Sequence, residues 1–303
     1  MMHKILITIL IVLVAFLQNP IISLSFGLIL GFILKDKLKD FISGVGSLPL
    51  QAGIVLIGFS ISFNTFTDLL INYFPIITIF VVMTFLLGLF LGKLFSLDRK
   101  FIYLISSATA ICGATAALAI SSIIKAKPNQ ISLAVFIIFL MNAIALALFP
   151  IIGKSLELTD IQFGLFSALA IHDTASVVGS GFLYSDQAGE VAATLKVGRT
   201  IWIAPIIAII AFLENEKRSL NFNDLPKFIF LFFVAIAISN IFSLPAKTYE
   251  ILKLLSITFI NIGIFFVALQ SRIEKINNIT SLIYPISLWL IVVLISFVAV
   301  TSL

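Results

Sequence analysis

The feature that most constrains this chain is a near-continuous series of long apolar runs, separated only by short polar connections. Hydrophobic residues make up 61% of its 303 residues and charged residues only 11%. A water-soluble fold cannot bury that much apolar surface, and the runs are continuous rather than alternating, which argues against a β-barrel. The sequence therefore predicts an all-α polytopic membrane protein with a single transmembrane domain over residues 1–303.

About eleven transmembrane helices are predicted, and their bounds carry an uncertainty of about two to four residues. They lie at 4–17, 20–34, 47–64, 73–92, 101–123, 131–152, 161–183, 190–213, 227–243, 248–270 and 279–302. The first two predict an N-terminal helical hairpin over 4–34. A re-entrant segment would alter the count, and 101–123 and 161–183 are the segments most apt to be re-entrant.

The distribution of basic residues predicts the orientation. With the N-terminus in the cytoplasm, alternate loops place thirteen Lys and Arg residues on the cytoplasmic side and six on the other. Cytoplasmic loops of membrane proteins carry such an excess, so we expect a cytoplasmic N-terminus and a C-terminus on the opposite side of the membrane. The net charge of +5 reflects this topology and implies no nucleic-acid partner.

Several classes of activity lack their sequence signatures. There is no phosphate loop of the G-x-x-x-x-G-K-[ST] kind, so transport driven by ATP is not expected of this chain. H-E-x-x-H, CxxC and nucleophile-elbow patterns are missing from the sequence, and two histidines cannot build a multi-histidine metal site. We predict no enzyme activity, no metal and no cofactor.

The most unusual polar cluster is His172, Asp173, Thr174 and Ser176, which interrupts a long apolar segment. An ionisable residue at bilayer depth is costly and therefore marks a functional site by default. The small residues that follow would let the helix unwind near 167–181. We predict a substrate or proton site with Asp173 and His172 as titrating groups; a buried polar pair that joins helices is the alternative.

A second cluster lies near 107–117, where Thr109, Cys112, Gly113 and Thr115 occur among small residues. Such a stretch allows either a close helix crossing or a broken helix whose free N–H groups face an anion, and the residues alone favour neither. If the helix is broken, Thr109 and Thr115 become hydrogen-bond donors.

Further polar residues could support such a site. Lys196 and Arg199 share one helix face and are predicted just inside the membrane, where they would attract an anion. Snorkelling to the interface is the alternative, and it is the more common behaviour of such residues. Gln51, Asn142 and Asn261 are possible polar support, although each is more typical of an interhelical hydrogen bond.

Two short echoes suggest an internal repeat. Gly53-Ile54 and Pro75-Ile76 recur 210 residues later as Gly263-Ile264 and Pro285-Ile286. The pattern Ser-Ala-x-Ala-Ile occurs at 107–111 and again at 167–171. An inverted-repeat transporter requires copies of opposite orientation, and seven spans between the first pair would provide it.

Three stretches, 109–113, 170–179 and 194–205, resemble the YeiH-type inner-membrane proteins, a UPF0324-like family named for sulfate export. The similarity runs from about residue 48 to the C-terminus. It implies a relationship to the bile-acid symporter and cation–proton antiporter superfamily, with inverted repeats, crossing broken helices and a homodimer. It also implies a location in the bacterial inner membrane, with the C-terminus in the periplasm. The 210-residue echo conflicts with a repeat of five helices plus five. The sequence therefore does not decide which segment is the second crossing helix.

These observations predict a secondary transporter of a small anion, such as sulfate or sulfite, that works by alternating access with H⁺ or Na⁺ coupling. A cation–proton antiporter, an organic-anion symporter and a non-transporting holin-like or sensory membrane component are the alternatives.

Overall fold

The computed structural model describes residues 2–34, 48–214, 227–242, 244–270 and 279–302, and its regular structure there is entirely α-helical. The helices are α1 Met2–Leu17, α2 Pro20–Leu34, α3 Leu48–Gly58, α4 Phe63–Leu94, α5 Arg99–Ala110, α6 Ala114–Ile123, α7 Pro128–Ser155, α8 Asp160–Ala170, α9 Thr174–Tyr184, α10 Asp186–Thr200, α11 Ile203–Leu213, α12 Lys227–Phe242, α13 Ala246–Gln270 and α14 Thr280–Thr301. The prediction of an all-α membrane protein is confirmed.

Five stretches of the described chain are long and apolar enough to cross a membrane. They are Phe63–Leu94, Pro128–Ser155, Asp186–Leu213, Lys247–Leu269 and Thr280–Thr301, and shorter apolar helices pack beside them. The prediction of eleven spans is not confirmed, because two of the predicted spans return to the face from which they start.

The predicted span 101–123 is a helical hairpin made of α5 and α6, which we call hairpin 1. The ammonium group of Lys100, at the start of α5, donates to the carbonyl oxygen of Lys125, just after α6, at 2.9 Å. Because the two ends lie side by side, the chain enters the bundle, turns at 111–113 and leaves on the same face.

The predicted span 161–183 forms a second such hairpin from α8 and α9, called hairpin 2. The Ser185 hydroxyl donates to Asp160 Oδ1 at 2.6 Å, and the rings of Phe163 and Tyr184 stack with centroids 4.0 Å apart. Tyr184 also donates from its hydroxyl to the Leu158 carbonyl. The two ends of this hairpin are therefore neighbours as well.

The hairpins enter from opposite faces of the bundle, because the 28-residue helix α7 joins the end of one to the start of the other. We call the face that holds Asp98 and Lys125 face A, and the face that holds Thr159 and Ser185 face B. The segment α10–α11 returns from face B to face A, where Glu214 pairs with Arg99 at 3.1 Å. The loop connections 35–47, 215–226 and 271–278, which contribute to the sequence-based charge count, lie outside the described residues.

The helices form two groups. The largest apolar core contains residues of the eight consecutive helices from α4 through α11 and of α14, and the two hairpins lie within it. A second group packs α2, α3, α12 and α13 together, with α1 laid against α13. The second group contacts hairpin 2 through α9, which packs against α13 and α2.

The glycines of the first echo and both copies of the second echo fall at matching structural positions. The prolines of the first echo do not, because Pro75 is the thirteenth residue of α4 and Pro285 is the sixth residue of α14. Gly53 on α3 faces Ile260 on α13, whereas Gly263 on α13 faces Leu50 on α3, so the two glycines let one antiparallel pair approach closely. The Ser-Ala-x-Ala-Ile copies end α5 and α8, the inward arms of the two hairpins. Since the offsets are 210 and 60 residues, no single shift of the sequence superposes both pairs.

Candidate functional site

Hairpin 1 turns because its backbone at 111–113 leaves helical geometry. Ile111 has φ −119° and ψ −93°, and Gly113 has φ +67°. A left-handed φ favours glycine, since a side chain there meets the backbone. A Cβ at Gly113 would also lie 3.3 Å from Asp173 N and from His172 Cβ. This glycine thus permits both the turn and the contact with the other hairpin.

Hairpin 2 turns at 171–173 through extended backbone. Ile171 ends α8 with φ −93° and ψ 139°, and Asp173 precedes α9 as its N-cap. The Asp173 carboxylate accepts a hydrogen bond from Ser176 N at 2.9 Å, which satisfies one of the orphan N–H groups that begin a helix. The predicted break near 167–181 is present, and its site is 171–173.

The two tips meet inside the bundle, so four helix ends converge there. The C-termini of α5 and α8 present unpaired carbonyl oxygens, and the N-termini of α6 and α9 present unpaired N–H groups. Backbone groups at membrane depth need partners from protein or from a water-lined cavity. The surrounding side chains show how each kind of end is satisfied.

The carbonyl ends are satisfied by two buried cations on α10. Lys196 and Arg199 are fully buried. Lys196 donates to the carbonyls of Ile111 at 3.0 Å and Ile171 at 2.9 Å. Arg199 donates to Ala110, Ala168 and Leu169 at 2.7–2.8 Å, more weakly to Ile171 at 3.4 Å, and also to Thr109.

Both cations thus occupy a place that the sequence did not predict. We expected them just inside the membrane edge, and the structure places them at the junction of the hairpins. The reason is electrostatic: the C-terminal end of a helix carries partial negative charge, and two such ends point at α10. The donors of both side chains are used on backbone carbonyls, and the Arg199 guanidinium also lies over the Phe80 ring. Their positive charge can therefore attract an anion to the junction, but neither group is open to a direct contact with it.

Trp289 on α14 completes this set by donating from Nε1 to the Ala170 carbonyl at 3.0 Å. Nothing in the sequence marks this residue as part of a site, because one tryptophan in an apolar helix is usually a packing or interface residue. Its role is visible only once α14 is placed beside α8.

His172 is held by Asn142 on α7. The amide oxygen of Asn142 accepts from His172 N at 3.0 Å and lies 3.1 Å from His172 Nδ1. The second ring nitrogen, Nε2, is buried without a hydrogen-bond partner. Asn142 therefore acts as the interhelical support that its type predicts, and it orients the histidine.

The N-terminal ends are left more open than the carbonyl ends. Gly113 caps α6 without a side-chain hydrogen bond. Ala114 is partly exposed and Thr115 is exposed, whereas Asp173 on the facing tip keeps partial exposure. Asp173 Oδ2 has no hydrogen-bond partner. The accessible edge of the junction thus consists of the start of α6, with the exposed Thr115, and part of Asp173, whose Oδ2 atom is itself buried.

The remaining predicted residues fall into two sets. Thr109, Cys112, Thr174 and Ser176 all lie at or beside the tips and are buried, with Thr109 Oγ1 unpartnered. Gln51 on α3 and Asn261 on α13 lie in the second helix group; Asn261 Oδ1 accepts from the Ser23 hydroxyl at 2.9 Å. No trio of His, Cys, Asp or Glu side chains within the described ranges is arranged to hold a metal ion.

Comparisons with known proteins agree on one family. The family model described as Conserved hypothetical protein 698 matches residues 2–284. A UPF0324 membrane protein of Vibrio vulnificus is 35% identical, and the match covers 90% of this chain and 91% of that protein. A UPF0324 membrane protein of Bacteroides thetaiotaomicron is 34% identical over 90% of this chain and 84% of its own length. No solved structure matches the chain.

Proposed function

The chain belongs to the YeiH-type UPF0324 family of membrane proteins, and from that premise and the hairpin junction we infer that it is a secondary transporter of a small anion. Two re-entrant hairpins that meet inside a bundle are the kind of discontinuous element that transporters use to build a binding site. The exposed edge of the junction, at Thr115 and Asp173, is where we place the solute.

The occupation of the carbonyls is the observation that supports an anion over a cation. Unwound carbonyls and helix C-termini coordinate Na⁺ or H⁺ in many carriers, whereas helix N-termini bind anions. Here the carbonyls of residues 109–111 and 168–171 already accept hydrogen bonds from Lys196, Arg199 and Trp289. The N-terminus of α6 is the end that remains open to a ligand.

The local charge supports the same choice. Lys196 and Arg199 bring two positive charges, and Asp173 brings one negative charge. The partial positive charge at the start of α6 adds to this excess. An oxyanion such as sulfate or sulfite would accept hydrogen bonds from the N–H groups of Ala114 and Thr115 and from the Thr115 hydroxyl.

We assign coupling to Asp173 and His172. Each has one buried polar atom without a hydrogen-bond partner, Oδ2 and Nε2. Protonation of Asp173 would remove the negative charge that opposes a bound anion, and this gives a direct route to proton coupling. Under this assignment the buried tip residues hold the shape of the tips and do not bind the solute directly. They are Thr109, Cys112, Thr174 and Ser176.

The packing favours alternating access with face A open. At face B, α9 packs against α13, and Lys253 on α13 pairs with Asp186 at 3.0 Å and Glu190 at 3.6 Å on α10. Toward face A, α6 packs mainly against α5, α7 and α11, and its Thr115 remains exposed. The solute would reach the junction along α6.

We propose that face A is cytoplasmic and that the membrane is the bacterial inner membrane. Among the side chains that the structure describes, six basic residues outside the junction lie at face A and three at face B. They are Lys93, Arg99, Lys100, Lys125, Lys127 and Lys227 at face A, and Lys154, Lys247 and Lys253 at face B. A homodimer, which the family resemblance implies, stays a prediction.

The experiment that tests this function is flux of radiolabelled sulfate in proteoliposomes, with and without an imposed pH gradient. We expect gradient-dependent flux in the wild type and background flux in Asp173→Asn. Asparagine is as good an N-cap as aspartate, so the variant should stay folded. Asp68→Asn, which changes an exposed carboxylate on α4, is the matched control and should retain flux.

Replacing sodium by choline separates the alternatives. Flux that requires sodium would point to a sodium-coupled carrier, and sodium or proton movement without any anion would point to a cation–proton antiporter. A wild-type protein that moves no sulfate, sulfite, organic anion, sodium or proton would overturn the transporter assignment.

A further inference from the structure

Lys196 joins the two hairpins through its one ammonium group. Ile111 and Ile171, whose carbonyls it contacts, are the first residues beyond the C-termini of α5 and α8. They also occupy the same place in the two Ser-Ala-x-Ala-Ile copies. The ammonium therefore lies between equivalent oxygens of two elements that enter from opposite faces.

These oxygens are the type of ligand that binds a monovalent cation. Carbonyls at broken helices, supported by the negative end of a helix dipole, coordinate such ions in membrane carriers. The N···O distances of 2.9 and 3.0 Å suit an ammonium ion. Arg199 covers the neighbouring carbonyls of Ala110, Ala168 and Leu169, so the site between the two isoleucines is the part left to Lys196.

We propose that Lys196 occupies a monovalent-cation site as a tethered ammonium, and that this site accepts a free ammonium-type ion when the side chain is removed. The tether fixes the hairpin tips together without a cation from solution. The inference concerns the site between Ile111 and Ile171 alone, so it holds or fails independently of which solute the protein moves.

Chemical rescue of Lys196→Ala tests the proposal. The substitution removes Cγ, Cδ, Cε and Nζ, and n-propylammonium has the same four heavy atoms in the same order. The variant is purified and its thermal unfolding measured in chloride salts of ammonium, n-propylammonium, sodium or choline at equal ionic strength. We expect n-propylammonium at about ten times its dissociation constant to raise the melting temperature by about 2–4 °C over choline.

Three controls keep the result specific. Wild type has the site filled, and Lys253→Ala loses a surface lysine by the same truncation, so neither should respond beyond the salt effect. Lys196→Met fills most of the volume without a charge and should be less stable than wild type and unresponsive to n-propylammonium. Equal melting temperatures of Lys196→Ala in all four salts would overturn the proposal.

Failure to purify the variant is also informative. If Lys196→Ala is recovered only when ammonium or n-propylammonium is present, the site is a cation site. If it is recovered under none of the four conditions, the side chain acts as more than a tethered cation and the proposal is wrong.

Discussion

At the scale of single residues, the central finding is that two buried cations, Lys196 and Arg199, donate their hydrogen bonds to backbone carbonyls. Charged groups are rarely buried unless they are paired, and here the partners are peptide carbonyls at helix ends rather than carboxylates. Arg199 suits this task because its guanidinium presents five donors in a fixed plane. The same chemistry explains why the residue cannot be replaced without leaving several buried acceptors unpaired.

We expect Arg199→Met to destabilise the protein by at least about 3 kcal/mol, since each buried acceptor left unpaired costs roughly 1–3 kcal/mol. The stability of Arg199→Lys should fall between that of Arg199→Met and that of wild type, because an ammonium has three donors and a guanidinium has five. Thermal unfolding in detergent measures the change.

The matched control is Arg99→Met at face A. The side chain of Arg99 is 64% exposed in its pair with Glu214. Exposed pairs contribute little, so this variant should differ from wild type by less than about 1 kcal/mol. Equal losses in the Arg199 and Arg99 variants would show that the contacts at the junction do not hold the tips.

At the scale of elements, the two broken segments are re-entrant hairpins rather than spans. Hairpin 1 begins and ends at face A, and hairpin 2 begins and ends at face B. The placement of hairpin 1 also moves Lys125 and Lys127 to face A, where they join Arg99 and Lys100. Among the nine described basic residues outside the junction, face A holds six and face B three, whereas the spanning scheme divides the same nine into five and four.

Single cysteines test this topology in a Cys112→Ala background. Ser96→Cys and Asn129→Cys flank hairpin 1 and should both react with a membrane-impermeant maleimide from one side only. Ser155→Cys and Gln187→Cys flank hairpin 2 and should react only from the other side. All four positions are exposed.

A spanning arrangement gives a different pattern. If α5 and α6 together formed one membrane span, Ser96→Cys and Asn129→Cys would react from opposite sides. If α8 and α9 together formed one span, Ser155→Cys and Gln187→Cys would also react from opposite sides. Either result would contradict the arrangement of the hairpins.

The sequence predicts the breaks well and the return of the chain poorly. Gly113 marks a position where a helix can unwind, and hairpin 1 turns there. Hairpin 2 turns at 171–173, within the predicted range 167–181, but the small residues expected to unwind it lie inside α9. A hairpin of two ten-residue arms has the length of a membrane span, so hydropathy cannot tell them apart. The partners of Lys196 are carbonyls, which every residue carries, so no residue type in the sequence marks them as its ligands.

At the scale of the whole molecule, the two helix groups are joined near face B, and the exposed Thr115 lies on α6 within the group that surrounds the hairpins. The Lys253 pairs with Asp186 and Glu190 join these groups near face B, while the exposed face of α6 leads from the junction toward face A. Under the proposed transporter function, this arrangement would be closed at face B and open at face A, which is one stage of alternating access.

The measurement that tests the central claim most directly is the labelling rate of Thr115→Cys in the Cys112→Ala background. A small impermeant thiol reagent is applied from each side of oriented vesicles, with sulfate, methanesulfonate or gluconate, none of which reacts with the reagent, at matched ionic strength. We predict that Thr115→Cys reacts from the side on which Ser96→Cys is labelled. We also predict that saturating concentrations of the transported anion slow this reaction by about tenfold or more. Reaction from the opposite side, or a rate that none of the anions changes, would contradict an anion site at the meeting point of the hairpins.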